Sequence, residues 1–182
     1  MRIILDTNVL LSAFIRVNSK PYKLLRAWFD GRYELVSSPA QIEEITRVAR
    51  YAKVRRYIAP AQIGWLVNRL RERALLVERL PKVDIAADPA DNFLLGMAKA
   101  GKADYLVTGD KADVLAIGRH AGTHIVTVIE MVRTLRLNVV GARVFKVKKA
   151  PGARELLARL RKYRGRLPAD FKFDRIEAND RR

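Results

Sequence analysis

Four short apolar runs alternate with longer stretches of helical spacing, and this alternation narrows the available folds more than any other feature of the chain. The runs are Arg2–Leu5, residues 33–36, Tyr105–Thr108 and residues 124–127, each with the length and the aliphatic or aromatic content of a strand. Residues 75–77 add a brief further one. Pro21 suits the first turn of a helix reaching about Asp30, with Tyr22, Leu25, Trp28 and Phe29 as its apolar face and Gly31 as its stop. Ser37-Ser38-Pro39 offers a serine cap and a proline at the first helical position, opening a helix towards Tyr51. Pro60 opens the next, to about Ala74, with Ile63, Leu66, Val67 and Leu70 at core spacing. Asp88 caps and Pro89 starts a helix to Gly101, which puts Asp91 at its third position. Shorter helices are expected over 112–117 and 129–135. The pattern predicts a parallel sheet with helices on both faces.

A chain of 182 residues, 49% hydrophobic, can bury one substantial core and a small appendage. It contains no cysteine, which excludes disulfides, cysteine-ligated zinc and a thiol nucleophile and fits a reducing cytoplasm. No signal peptide is visible, and no apolar stretch approaches the roughly 18 residues of a membrane span, so a soluble cytoplasmic protein is expected. The balance of 36 Lys and Arg against 19 Asp and Glu, a formal +17, calls for a polyanionic partner, with nucleic acid ahead of a membrane surface; a basic surface kept for solubility is the plain alternative. Residues 141–182 carry 14 of these cations against five acids. This shift divides the chain into a main domain, 1–140, and a basic C-terminal extension, 141–182, with an edge strand near 144–147, a helix over 152–163 and a tail from 168.

Against this basic background, four acids fall where an α/β fold gathers side chains, at or near the carboxyl ends of strands. Asp6 follows the first strand, Glu44 lies in the helix after the second, Asp91 begins the helix before the third, and Asp110 follows the third. Gathered carboxylates repel one another, and a divalent cation is the usual remedy. Oxygen ligands without cysteine favour Mg²⁺ or Mn²⁺ over zinc. Each acid also has a purely structural reading: Asp6 as a turn former or cap, Glu44 as a partner of the helix dipole, Asp91 as a capping residue, Asp110 as a turn residue.

Taken together, Leu5-Asp6-Thr7-Asn8-Val9-Leu10, Ser38-Pro39 leading to Glu44, Asp88-Pro89-Ala90-Asp91-Asn92-Phe93-Leu94 and Ala103 to Asp110 resemble the PIN domain family, in particular its ribonuclease toxins of toxin–antitoxin systems. The resemblance spans about residues 1–137. It implies a three-layer α/β/α fold with a central parallel sheet and a metal-dependent endoribonuclease. By position, Asp6, Glu44, Asp91 and Asp110 match the family's acidic metal-binding set, and Asn8 and Thr108 match residues supporting it. Asp113 fits the family's habit of a further acid shortly after Thr-Gly-Asp. Glu43 competes with Glu44, because a helix can aim only one of two neighbours at a site; alignment with the family favours Glu44. The basic run Arg47, Arg50, Arg55 and Arg56, and Lys148, Lys149 and Arg159 in the extension, are candidate RNA contacts. The partners implied are RNA, an antitoxin protein and a second copy of the chain.

The chemistry expected is hydrolysis of RNA phosphodiesters with Mg²⁺ or Mn²⁺ and no covalent intermediate. His120 and His124 are poor candidates for a general base, given their places at a helix-to-strand connection and a strand start. A noncatalytic RNA-binding protein on the same fold, acting in RNA processing or ribosome biogenesis, is the competing reading. A magnesium-dependent phosphatase of small molecules is disfavoured, since Asn8 stands where such enzymes place a second acid.

Overall fold

The computed structural model describes residues 1–109 and 114–137. Its elements in chain order are β1 (Arg2–Leu5), α1 (Thr7–Ile15), α2 (Lys20–Phe29), β2 (Glu34–Ser37), α3 (Pro39–Val48), α4 (Ala52–Arg55), α5 (Pro60–Arg73), β3 (Leu75–Leu76), α6 (Asn92–Gly101), β4 (Tyr105–Thr108), β5 (Arg119–His120), β6 (Thr123–Thr127) and α7 (Val128–Thr134). The strands form one sheet in the order β3-β2-β1-β4-β6-β5. All neighbours are parallel except β5, which pairs antiparallel with β6 at the rim.

Strand periodicity produces the three layers. Ile3 and Leu5 point to one face of the sheet and pack with Leu35, Val107 and the buried residues of α1, α2, α3, α5 and α7. Ile4 points to the other face and packs with Val36, Leu106, Ile125 and the apolar side of α6. Central strands covered on both faces carry apolar residues towards both, which is why Ile3–Leu5 and Tyr105–Val107 read as continuous runs rather than alternating ones. The two predicted layers of helix are therefore present, and the four residues expected as core in α5 are all buried. Among the described residues, no helix is long and apolar enough to cross a membrane.

Local chemistry sets most boundaries where expected. Ser38 Oγ accepts from Gln41 N at 3.2 Å with Pro39 behind it. Gly31 adopts φ +73° just past α2, the left-handed turn that ends a helix. Three boundaries differ. The helix expected from Pro39 to about Tyr51 stops at Val48, and a separate turn of helix, α4, follows; the break brings Val54 and Ile58 onto the core, Ile58 being 2% exposed. The helix expected from Pro89 opens instead as a 3₁₀ turn, Pro89–Asp91, because Asp88 Oδ1 accepts from Ala90 N at 2.8 Å and tightens the first turn. Asp91 consequently stands at the position before α6, without a side-chain capping bond, rather than at its third position. Third, β5 was absent from the strand pattern. It is two residues long and turns into β6 through Ala121 and Gly122, both at positive φ, as a tight hairpin requires. The strand expected near 144–147, the helix over 152–163, the tail from 168 and the division at residue 140 lie outside the described residues.

Candidate functional site

The sheet order places the candidate site. From β1 the chain winds outwards through β2 to β3, then returns to lay β4 on the opposite side of β1. Connections diverge between β1 and β4, leaving a crevice beyond their carboxyl ends. Asp6 is the first residue past β1, and Thr108 is the last of β4.

Asp6 is buried, 7% exposed, and held from two sides. Thr108 Oγ1 donates to Asp6 Oδ2 at 2.8 Å across the β1–β4 boundary, and Asn8 N donates to Asp6 Oδ1 at 3.2 Å as Asp6 caps α1. Thr108 is fully buried, so its hydroxyl serves the carboxylate and not bulk water. One hydrogen bond to each oxygen fixes the orientation of the carboxylate.

Glu44 approaches from α3. Thr7 Oγ1 donates to Glu44 Oε2 at 2.5 Å, linking Glu44 to the residue next to Asp6. The helical phase of α3 selects Glu44 over Glu43: Gln41, Glu44, Ile45 and Val48 share the inward side, whereas Glu43 is exposed. Arg47 lies one turn on, its guanidinium 3.9 Å from Glu44 Oε1, with 60% of its own side chain exposed.

Gln41 has a structural role that the sequence alone does not announce. It is 1% exposed, donates through Nε2 to Leu5 O at 2.7 Å, and accepts from Ser37 Oγ at 2.8 Å. It ties the ends of β1 and β2 together beneath the crevice. Nor does the sequence around Thr7 announce a partner, because its role depends on α3 lying beside α1. The local signals are a polar side chain in phase with Glu44 and Ile45 on the inward side of α3, for Gln41, and a threonine directly after a strand-end acid, for Thr7.

The other predicted residues are placed as follows. Asn8 contributes its backbone N–H, and the residue itself is exposed. Asp91 is half-buried at the start of α6, a helix that runs from the carboxyl edge of the sheet back towards the start of β4. Arg47, Arg50, Arg55 and Arg56 are all exposed on α3, α4 and the adjoining turns. Asp110, Asp113, Lys148, Lys149 and Arg159 lie outside the described residues. Among the described residues, no three of His, Asp and Glu come together as a cluster able to hold a metal ion. What is assembled is Asp6 with Thr108, and Glu44 with Thr7.

Residues 2–112 match the sequence model of the PIN domain. An uncharacterized protein of Methanocaldococcus jannaschii is 27% identical over 112 residues, covering 61% of this chain and 72% of that protein. Among solved structures, a chain of VapBC2 from Rickettsia felis, bound to a DNA fragment from its promoter, superposes with a TM-score of 0.47 at 16% identity, covering 70% of this chain and 98% of its own. With more than half of its length matched, including β1, Asp6, α3, β4 and Thr108, the chain belongs to the PIN domain family.

Proposed function

We propose that the crevice beyond β1 and β4 is the active site of a divalent-metal-dependent endoribonuclease, the toxin of a toxin–antitoxin pair. PIN domains are generally nucleases that use divalent metal ions. The observation that supports the reading most is the buried Asp6 carboxylate, fixed by Thr108 at the strand crossover, with Glu44 oriented by Thr7 beside it.

The donor set fits a hard cation in kind: Asp6 and Glu44 offer carboxylate oxygens, with Asp91 at the same edge of the sheet and Asp110 directly after Gly109. Asp6, Asp91 and Asp110 would hold the ion, with Glu44 as a direct or water-bridged ligand. A divalent ion bound there supplies an acidified water at neutral pH and neutralises charge building on the phosphate. The residues of the chain do the positioning. Thr108 and the Asn8 N–H hold the Asp6 carboxylate, and Thr7 holds that of Glu44. Hydrolysis would add water across one phosphorus–oxygen ester bond, its hydroxyl going to phosphorus and its proton to the departing ribose oxygen.

This reading carries RNA, an antitoxin protein and a second copy of the chain as partners, acting in the cytoplasm. The decisive experiment is cleavage of a labelled RNA with Mg²⁺, Mn²⁺ or EDTA, with Asp6→Asn and Asp110→Asn run alongside. Cleavage is expected only with metal and in neither variant. RNA binding without cleavage in any lane would replace this reading with that of a noncatalytic RNA-binding protein.

A further inference from the structure

Residues 47–57 contain five cations, Arg47, Arg50, Lys53, Arg55 and Arg56, two tyrosines and no acid. Val54 and Ile58 fasten this segment to the core, while all five cations stay exposed and Tyr51 and Tyr57 remain 50% and 66% exposed. Two adjoining hollows run along it. One, of about 360 Å³, is lined by Thr46, Arg47, Arg50 and Arg71 together with Ile42 and Glu43. The other, of about 220 Å³, shares Thr46 and Arg50 and adds Arg55, Ala49, Pro60 and Ile63. Among the described residues, Arg50, Lys53, Arg55, Arg56 and Arg71 form no ion pair with a carboxylate.

Helix dipoles explain some of these cations, since Arg47, Lys53, Arg55 and Arg71 lie in last turns. They do not explain two exposed rings among them. Tyr51 is also held in place: Arg47 Nη1 donates to its hydroxyl at 2.7 Å, and the guanidinium carbon lies 6.0 Å from its ring centroid. A fixed aromatic surface beside a basic groove matches the physics of single-stranded nucleic acid binding, in which cations follow the phosphates and bases stack on rings. A duplex offers only its phosphates to such a surface, because its bases are already stacked. The groove ends beside the candidate site, since Arg47 is also the cation 3.9 Å from Glu44.

We propose that residues 47–57 and Arg71 form a track for single-stranded RNA leading to the crevice, with Tyr51 and Tyr57 as stacking surfaces for the bases. The inference rests on the ribonuclease reading for its destination, but binding is measurable without cleavage. The full-length protein in EDTA is titrated against a fluorescent oligouridine and against a duplex of equal length. In Tyr51→Ala/Tyr57→Ala, single-strand affinity is expected to fall about tenfold per ring lost, with duplex affinity unchanged. Tyr51→Phe/Tyr57→Phe keeps the rings and is expected to recover most of the single-strand affinity that the alanine pair loses. In Arg50→Ala/Arg55→Ala both affinities fall, and the salt dependence for single strands flattens by about 0.7 per contact removed. Because residues 141–182 are also basic, crosslinking with 4-thiouridine RNA is used to locate the strand, and crosslinks at Tyr51 or Tyr57 are expected. Absence of RNA binding, indifference of single-strand binding to the ring deletions, or crosslinks confined to 141–182 would each overturn the track. Metal-dependent cleavage alongside ring-indifferent binding removes the track and leaves the nuclease; ring-dependent binding without cleavage does the reverse.

Discussion

Thr108 Oγ1 lies 2.8 Å from Asp6 Oδ2, a hydrogen bond between residues 102 positions apart that joins the carboxyl ends of two adjacent parallel strands. Thr108→Val keeps the shape and removes the donor, costing the buried Asp6 carboxylate this hydrogen bond. We expect a stability loss of about 1–3 kcal/mol by urea denaturation. Cleavage should fall about 10- to 100-fold, the range seen when a residue supporting a metal ligand is lost. Thr108→Ser retains the hydroxyl and should stay close to wild type in both measurements.

Glu43 and Glu44 differ in sequence by one position and in structure by which way they face. Glu44→Gln should reduce metal-dependent cleavage at least about 100-fold, and Thr7→Val, which frees Glu44 to swing, about tenfold. Glu43→Gln should retain cleavage and bind RNA no less tightly, because it removes a negative charge from a basic groove. Initial rates on one labelled RNA separate the three variants, and loss of cleavage in Glu43→Gln with retention in Glu44→Gln would reverse the assignment.

The face of α6 that meets the connection after β3 has no room for a side chain at Gly96. A methyl group there would sit 2.8 Å from the carbonyl oxygen of Pro81, a backbone atom that cannot rotate away. Gly96→Ala gains about 1 kcal/mol in helix propensity but incurs about 1–3 kcal/mol of overpacking. The expected net result is a loss on the order of 1 kcal/mol, read as a melting temperature lower by about 3 °C. An unchanged or raised melting temperature would show that this contact yields easily.

At the start of α7, the Thr127 backbone N–H donates to Glu130 Oε2 at 2.7 Å and the Thr127 hydroxyl donates to the same oxygen at 2.8 Å. These bonds, the backbone one foremost, hold the Glu130 carboxyl below the ordinary glutamate value, with Arg133 assisting. A carboxyl whose folded pKa is depressed adds stability above its unfolded pKa, about 4.3, and that stability disappears as pH falls through the folded value. Thermal melts from pH 7 to pH 3 should therefore show wild type above Glu130→Gln at neutral pH, with the gap closing below about pH 4.

Much of this architecture was readable without coordinates because it follows from local chemistry. Strands buried on both faces announce themselves as unbroken apolar runs, and Ser38-Pro39 and Asp88-Pro89 mark turns whose side-chain hydrogen bonds reach only two or three residues along the chain. The choice of Glu44 was also latent in the helical phase of α3, which puts Gln41, Glu44, Ile45 and Val48 on one side. What escaped notice depends on contacts between distant segments. Gln41 is needed because Leu5 O, at a strand end, requires a donor. Thr7 matters because α3 lies beside α1. The stop at Val48 reflects the demand of Ile58 for a place in the core, and a two-residue strand such as β5 has no periodicity to read.

Both rims of the described sheet are very short: β3 has two residues, and so has β5, which turns away through its hairpin. A rim of this length exposes few unpaired backbone groups, so a foreign strand laid against it would gain little ladder before running out of partners. Rims this short are poorly suited to seeding fibrils. The same shortness makes strand addition an unproductive way for another protein to dock here and directs recognition to the helical surfaces and their side chains.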